Sequence, residues 1–285
     1  MKSRKTNKYI AVIFIIIGFL IFLYPMLSNL LARLNQAETI REYSQKVYSL
    51  DKDKIIEEYQ KAINYNLELN NNEVLDPFIQ IEVNTQLEEY ESILNINNDG
   101  ILGYLEIPKI NVKMPIYHGT KDEVIEKGVG HLKQSSFPIE GKTVHSVLTS
   151  HTGLPKAKLF TELDKLKYKD FFYVTILNKK FCYKVCDIKI VLPEEVDQLK
   201  IKQNKNICTL ITCTPYGVNT HRLLVTGELT EYIEPQKETN LIKEVTKDKS
   251  FLYLLIPILL ILIIFIIIII KFKKKSNELF RWNVI

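Results

Sequence analysis

The sequence predicts a mainly β domain, closed or sandwiched, that follows a helical segment and is flanked by two membrane-spanning helices. Three observations predict this architecture. Two long runs in the 285 residues, 9–32 and 251–270, contain no charged residue. Apolar residues recur every three or four positions between residue 34 and about residue 70, which favours helices. Short alternating segments separated by turn residues fill residues 100–230, as is typical of β-barrels and β-sandwiches.

Each apolar run is long enough to cross a membrane as a helix. A bilayer core of about 30 Å needs roughly 20 helical residues, and Tyr9–Ala32 and Phe251–Ile270 contain 24 and 20. Pro25 and Pro257 fall inside these runs, which membrane helices tolerate. The alternative for the first run is a cleaved signal peptide, but its apolar stretch exceeds the usual core of about 7–15 residues and no A-x-A site follows. The alternative for the second run is a buried core helix, which the lysine cluster that follows disfavours.

Basic residues at both ends of the chain predict its orientation. Residues 1–8 and residues 271–285 each carry a net charge of +4. By the positive-inside rule both are predicted to be cytoplasmic tails, so the residues between the two runs face outward at the cell membrane. The net charge of +5 for the whole chain leaves −3 for everything between the tails. This mildly acidic segment has no basic stripe, which disfavours nucleic-acid binding.

The outward-facing part divides into a helical segment at residues 33–99, a β domain at residues 100–232 and a linker at residues 233–250. Asn95–Gly100 is a strong turn signal at the first boundary. Short helices are predicted at Asp122–Lys127 and Ala157–Leu166. The predicted strands are Gly103–Pro108, Asn111–Tyr117, Thr143–Leu148, Phe171–Leu177, Lys180–Cys186, Ile188–Leu192, Ile207–Thr212 and Arg222–Leu229.

The four cysteines occupy two kinds of position. Cys182 and Cys186 are four residues apart on one predicted strand, about 13 Å, which is too far for a disulfide bond. They and Cys208, in mid-strand, are interpreted as small apolar core residues. Cys213 instead ends an apolar strand before a Pro/Gly loop, at the rim of the β domain. Arg222 opens the returning strand nine residues later, so we expect both side chains at the same rim.

A thiol needs a cationic or proton-accepting neighbour to become a nucleophile, because its ordinary pKa of about 8.5 leaves little thiolate at neutral pH. His151 is the leading candidate, since it too follows a strand end and enters a Gly/Pro loop. His118 is the next and is equally suited to stabilising a turn, whereas His221 would point away from the face of Arg222. No spacing fits a zinc site, a phosphate loop or a carboxylate pair. All five histidines remain candidates at this point: His118, His131, His145, His151 and His221.

Several blocks of the sequence resemble a known family. Thr209–Cys213 reads TLITC and resembles the TLxTC signature of the sortases, with Arg222 in register. The longer segment Thr209–Glu228 resembles class C, the pilin-polymerising sortases, in which a second membrane span near the C-terminus is also typical. Four further blocks resemble the same class, occur in the same order and extend the resemblance over about residues 100–230: Glu106–Ile110, Pro115–Gly119, Gly128–Leu132 and Ser150–Pro155.

The resemblance implies an eight-stranded sortase β-barrel and a role for each rim residue. Cys213 would be the nucleophile, His151 the general acid/base, and Arg222 the group that stabilises the substrate and the oxyanion. The substrate would be a pilin or surface protein with an LPxTG-like sorting signal, cleaved between Thr and Gly. A lysine amine of the next pilin subunit would then accept the acyl group. No residue cluster requires a metal or another cofactor, although calcium use by other sortases leaves the metal open.

Class C sortases carry a lid with a D-P/S-aromatic motif, which Asp76-Pro77-Phe78 resembles. The resemblance implies that Asp76 pairs with Arg222 and that Phe78 covers Cys213. Pro77 would stiffen the turn by fixing its own φ angle and restricting Asp76. The alternative is an ordinary Asp-Pro turn.

Two positions depart from the class C pattern. Phe78 stands where Trp or Tyr is also common, and Thr152 stands where many relatives have Arg. These departures are expected to alter lid strength or substrate preference and to leave the chemistry intact. The sequence thus predicts a membrane-anchored cysteine transpeptidase that joins pilin subunits on the outer cell surface. The alternatives are a sortase that anchors proteins to cell-wall peptidoglycan and a non-catalytic surface scaffold.

Overall fold

The computed structural model of the protein describes residues 3–69 and 87–231, with side chains from residue 14 and, after the gap, from residue 90. Three predicted features lie outside the described residues. They are the lid motif Asp76-Pro77-Phe78, the linker at 233–250, and the second apolar run, 251–270, with the tail that follows it.

The first apolar run and the start of the predicted helical segment form one continuous helix. This helix, α1, spans Ser3–Tyr48 and contains Pro25. Its part Phe14–Tyr48 is long and apolar enough to cross a membrane. The chain turns at residues 49–51, and α2 follows at Lys52–Glu68, with Asp53 in its first turn where the helix dipole favours an acidic residue. The shorter helices are α3 at Leu87–Ser92 and α4 at Asp122–Ile125.

The eight strands of the described residues close into a barrel in the order β1-β2-β3-β4-β7-β8-β6-β5. This confirms the predicted closed eight-stranded fold. Neighbouring strands are antiparallel except for two parallel pairs, β2 with β3 and β4 with β7. The strands are β1 (Ile101–Ile107), β2 (Val112–His118), β3 (Val129–His131), β4 (Val144–Thr149), β5 (Phe171–Ile176), β6 (Lys179–Val191), β7 (Asn206–Thr214) and β8 (His221–Thr230).

Three local predictions differ from the structure. Strand β3 is only three residues long, too short to show alternation in the sequence. The two strands predicted over residues 180–192 are one strand, β6, with a bulge between Val185 and Asp187. The predicted helix Ala157–Leu166 is wrong, since only a 3₁₀ turn forms at Leu163–Lys165. Leu159 has a φ angle of +42°, which an α-helix excludes, and its neighbours are buried by tertiary contacts.

The N-terminal helices pack against the barrel through both polar and apolar contacts. Tyr43 of α1 is buried, and its hydroxyl donates to Leu102 O (2.8 Å) and accepts from Leu177 N (2.8 Å). Glu58 of α2 is also buried, where its carboxylate accepts from Leu94 N (2.9 Å) and pairs with Lys61 (2.9 Å). Because buried polar groups must find partners, these bonds fix where α1 and α2 lie on the barrel.

Candidate active site

The end of β7 and β8 brings a thiol next to a guanidinium. The two strands are antiparallel, and Cys213 lies directly opposite Arg222. Directly opposed residues project to the same face, with Cβ atoms about 4.5–5.5 Å apart. Both residues are partly buried, while residues 215–220 between them are exposed. The two side chains therefore share the barrel rim, as the sequence predicts.

His151 reaches the same level from β4, on the other side of β7. The parallel register of β4 and β7 places Thr149 opposite Ile211. Their contact continues for one more residue, because Ser150 N donates to Ile211 O (3.3 Å) and Thr212 Oγ1 donates to Ser150 O (2.9 Å). His151 and Cys213 are each two residues beyond the Thr149–Ile211 pair. The ends of three adjacent strands thus bring His151, Cys213 and Arg222 together.

The imidazole of His151 lies in a partly buried, charged environment. Its side chain is 22% exposed, and Nε2 is 3.9 Å from Asp122 Oδ1 at the start of α4. Burial lowers the pKa of His151, the carboxylates of Asp122 and Glu126 oppose this, and Lys156 lowers the pKa further. The net direction is down, so the protonated imidazole is a stronger acid than free histidine.

The loop after β4 holds the backbone of His151 in place. Phe160 N donates to His151 O (3.1 Å), and Gly153 N donates to Thr161 Oγ1 (3.1 Å). Gly153 has a φ angle of +77°, and a Cβ there would lie 3.1 Å from the ring of Tyr216. Both the backbone conformation and the close approach require glycine at this turn. Contact with Tyr216 also joins this loop to the β7–β8 loop.

Arg222 lies between the thiol and a small apolar pocket. Its Nη1 donates to Asn219 O (3.3 Å) and His221 O (3.4 Å), which directs the guanidinium along the β7–β8 loop. On its other side is a pocket below the connection between β6 and β7. Arg222 itself lines that pocket together with Val191, Leu192, Pro193, Glu195, Val196, Leu199, Ile211 and Leu224.

Two of the other candidate histidines belong to a buried group next to α3. His131 Nδ1 is 3.0 Å from Tyr90 Oη, and its Nε2 is 2.9 Å from Ser136 O. Complete burial lowers the pKa of His131 to about 3. His118 lies with Nδ1 3.0 Å from Gly100 O and Nε2 2.9 Å from Ile93 O. We call Tyr90, His118, His131 and Phe137, whose rings contact one another, the aromatic–histidine cluster.

The remaining two histidines lie on β4 and at the start of β8. His145 is buried on β4, with Nε2 2.8 Å from Thr209 Oγ1 and Nδ1 2.9 Å from Lys200 O. Burial lowers its pKa to about 4. His221 begins β8, and its Nδ1 is 2.9 Å from Thr220 Oγ1. His221 pairs with Thr214, next to the Cys213–Arg222 pair, but successive residues of a strand project to opposite faces, so it points away from the face of Arg222. His151 is the candidate that register places at the level of Cys213 from the neighbouring strand β4.

The cysteine interpretations hold for two of the three residues assigned to the core. Cys182 and Cys208 are buried. Cys186 is exposed, so its core assignment is wrong. It lies at the β6 bulge between Val185 and Asp187, which changes the alternation along the strand, and its Sγ donates to Thr226 O (3.5 Å).

Sequence reasoning missed the charged side chains around His151. Glu126, directly after α4, pairs with Lys156 (2.7 Å) on the loop after β4, and both charges act on the imidazole of His151 together with Asp122. The sequence holds no local signal for this grouping, because α4 and the loop meet only in the folded barrel. Within residues 3–69 and 87–231, no group of three or more His, Cys, Asp or Glu side chains is arranged to hold a metal ion.

Comparison with known proteins identifies the family to which this fold and site belong. A family model described as the sortase domain matches residues 105–230. The structure of sortase C-1 from Actinomyces oris is 44% identical with a TM-score of 0.61, and the match covers 63% of this chain and 99% of that one. Sortase C from Streptococcus pneumoniae is 38% identical with a TM-score of 0.63, covering 70% and 99%. The chain therefore belongs to the sortase family, whose members are cysteine transpeptidases acting on LPxTG-type sorting signals.

These structural neighbours are class C sortases, as the sequence motifs indicate. The Streptococcus pneumoniae structure is described in terms of catalysis and pilin substrate specificity. Among curated proteins, sortase D of Bacillus subtilis is 33% identical over 115 residues, which are 40% of this chain. That match spans about half (55%) of the length of sortase D.

Proposed function

We propose that this sortase is a membrane-anchored enzyme that polymerises pilin subunits. The observation that carries the proposal is the convergence of His151, Cys213 and Arg222 at the ends of β4, β7 and β8. Class C neighbours, one of them described with pilin substrate specificity, support the choice of substrate. Helix α1, apolar along its first half, supports membrane anchoring, with both termini cytoplasmic and the barrel outside.

Acylation begins when the Cys213 thiolate attacks the Thr carbonyl carbon of an LPxTG-like signal. A carbon–sulfur bond forms, and the carbonyl electron pair moves onto oxygen. Arg222, beside Cys213 on the same face, supplies fixed positive charge to that oxygen. Losing one such donor typically costs about 3–4 kcal/mol of transition-state stabilisation.

Collapse of the tetrahedral intermediate breaks the Thr–Gly bond and leaves a thioester on Cys213. The departing Gly amine needs a proton, which protonated His151 donates. The lowered pKa of His151 suits this step, because an acid with a lower pKa releases its proton more readily. His151 is then neutral and ready to act as a base.

Deacylation uses a lysine side chain of the next pilin subunit. The lysine ammonium first loses one proton to solvent, matching the proton that the released Gly amine takes up from solvent. The free amine then attacks the thioester carbonyl, and neutral His151 accepts the second proton from its nitrogen. The carbon–sulfur bond breaks, an isopeptide bond forms, and Cys213 returns as the thiolate with His151 protonated. Atoms and charges balance over the cycle without an oxidant, a reductant or a cofactor.

Arg222 would also contact the backbone of the sorting signal near the bond to be cleaved. It lies next to the small aliphatic pocket of Val191, Leu192, Val196 and Leu199.

The test is a reconstituted reaction. The full chain in detergent is mixed with a pilin subunit that bears an LPxTG signal, and covalent oligomers are separated by denaturing electrophoresis. We expect a ladder with the wild-type chain, and none with Cys213→Ala or with pilins whose acceptor lysine is replaced by arginine. Transfer only to a peptidoglycan-like amine would assign the enzyme to wall anchoring. No ladder with the wild-type chain, although the pilin binds to it, would favour the non-catalytic scaffold.

The lid belongs to the same proposal. Asp76 would pair with Arg222 and Phe78 would cover Cys213, so Asp76→Ala should speed alkylation of Cys213 by a thiol reagent. The matched control is Asp53→Ala on α2, which should leave the rate unchanged. Equal alkylation rates for Asp76→Ala and wild type would favour the ordinary Asp-Pro turn.

A further inference from the structure

Helix α1 contacts the two segments that flank His151. Ser28 Oγ donates to Lys156 O (2.9 Å), and Lys158 N donates to Asn29 Oδ1 (3.0 Å). Two turns further along, Gln36 Nε2 donates to Lys127 O (3.0 Å), just beyond the end of α4. Helix α1 therefore bonds both to the loop that carries His151 and to the region of the helix that carries Asp122.

The loop after β4 has other attachments too, because Ser150 Oγ donates to Gly128 O (2.6 Å) and Ala157, Leu159 and Phe160 are buried. The β4–β7 ladder ends at Thr149, and the backbone contact beyond it reaches only Ser150. Within the loop, His151 O accepts from Phe160 N, and the ion pair of Lys156 with Glu126 (2.7 Å) joins the loop to α4. The bonds from α1 are made by Lys156, which also pairs with Glu126, and by Lys158, two residues before Phe160.

A cleft lies between residues 20–39 of α1 and the barrel on this side. It is lined on the helix by Leu20, Tyr24, Leu27 and Leu31, and on the barrel by Glu126 and Lys156, among others. Since the two surfaces stand apart over the cleft, Ser28 and Asn29 form a bridge across it. These two polar side chains are placed where the helix reaches the loop.

We propose that Ser28 and Asn29 are positioning residues that hold the His151 loop in its productive place. This inference rests on the proposed role of His151 as general acid and base. Proton transfer requires the imidazole within hydrogen-bond reach of the leaving and entering amines, and a displacement of about 1 Å can cost up to about 100-fold in rate. The anchor helix thereby contributes to the chemistry as well as to membrane attachment.

The experiment uses the full chain in phospholipid nanodiscs, with acyl transfer from an LPxTG peptide to a primary amine as the readout. We expect Ser28→Ala/Asn29→Ala to lower kcat about 3- to 10-fold with KM for the peptide nearly unchanged, because the loop is displaced and the peptide site is not. Hydrogen exchange at the Lys158 amide should become faster. The single variant Asn29→Asp keeps an acceptor oxygen for Lys158 N and should retain most of the activity.

A matched control lies on the same helix. Ser44 Oγ donates to Ile40 O within α1 (2.8 Å), so Ser44→Ala removes a serine hydroxyl without touching the loop. It should leave kcat and exchange at Lys158 unchanged. A wild-type kcat for the double variant would overturn the proposal. The proposal would also be overturned if Asn29→Asp lost as much kcat as the double variant and both variants unfolded at a lower temperature than wild type.

Active-site variants measured in the same assay distinguish failure of this inference from failure of the proposed function. If Cys213→Ala and His151→Ala are inactive while the double variant matches wild type, the positioning role fails and the catalytic proposal stands. If His151→Ala retains full activity, the catalytic role of His151 fails, and the positioning proposal fails with it. Exchange at the Lys158 amide then still measures whether α1 holds the loop.

Discussion

The rim that holds His151 and the aromatic–histidine cluster both place imidazoles next to hydrogen-bonding groups, but their surroundings differ. His151 is partly exposed at a strand end, with carboxylates and a lysine nearby. His131 is completely buried between rings and is bonded through both nitrogens. The first arrangement lets a proton move to and from solvent and substrate, while the second keeps the imidazole neutral. With His151 as the proposed general acid/base, exposure and neighbouring charge are the features that distinguish it from the buried histidines.

The largest expected effect is the loss of transpeptidation rate when residues at the barrel rim are replaced. Cys213→Ala should lower the transpeptidation rate by at least about 10³-fold, and His151→Ala by about 10²–10⁴-fold, because nucleophile and general acid/base act as a unit. Steady-state kinetics with an LPxTG peptide and a primary amine measure both. The controls are Cys186→Ala at the exposed β6 bulge and His221→Ala beside Arg222, which should keep wild-type rates. An equal loss of transpeptidation rate in the two control variants would contradict the assignment of Cys213 and His151 as the reactive residues.

The buried histidines should make stability depend on pH. Burial lowers the pKa of His131 to about 3 and of His145 to about 4, while unfolding returns each to about 6.5. Their contribution is therefore fully present above pH 6.5 and decreases as pH falls from 6.5 through 4. Each should cost about 1.4 kcal/mol of unfolding free energy per pH unit within its window. Urea unfolding at pH 7.5, 6 and 5 measures this, and His145→Gln should reduce the slope. An identical slope in that variant would count against the assignment.

Replacement of Tyr90 in the aromatic–histidine cluster should lower the free energy of unfolding and have little effect on catalysis. Tyr90→Phe removes the hydroxyl that contacts His131 and accepts from Gly119 N (3.1 Å), at a cost of about 1–3 kcal/mol in unfolding free energy. The transpeptidation kcat should stay within about two-fold, because the cluster does not touch the rim. Tyr168→Phe is the control, since its exposed hydroxyl makes only a long contact of 3.5 Å to Asp187. A large fall in kcat for Tyr90→Phe would mean that the two regions are coupled.

The smallest effect concerns the charges around His151. Asp122 raises the pKa of this imidazole and Lys156 lowers it, so Asp122→Asn should move the pKa down and Lys156→Gln should move it up. Each shift should be below about one unit, because surface charges are screened by solvent. NMR titration of His151 in a Cys213→Ala background measures both. Shifts of the same sign in the two variants would contradict the arrangement of charges.

Much of the fold was predictable because its signals are local. Alternation located seven of the eight strands, and strand ends before Pro/Gly loops indicated Cys213 and His151. The resemblance to the sortases then selected His151 among five histidines. The parallel register of β4 with β7 places the ends of these strands at one level, and Cys213 pairs with Arg222 across β7 and β8. The roles of His151, Cys213 and Arg222 stay predictions.

The missed features depend on contacts between distant parts of the chain. Strand β3 is too short to show a period, and the bulge that joins the two predicted parts of β6 leaves no signature in composition. Residues 157–166 carry a helical pattern of apolar residues, yet tertiary burial holds Leu159 at a positive φ angle. The bonds from Ser28 and Asn29 to the His151 loop join residues about 130 positions apart, and no periodicity encodes such a pair.

The contact of Ser28 with the His151 loop also bears on where the reaction takes place. Ser28 lies near the outward end of the apolar run 9–32, and helical residues advance about 1.5 Å each. With that run across the bilayer, as proposed, the barrel rim stands at the lipid–water boundary. A polypeptide still tethered in the same leaflet then needs only a few extended residues to reach the thiol. Proximity to the lipid surface would thereby select newly translocated chains over proteins that have already diffused away.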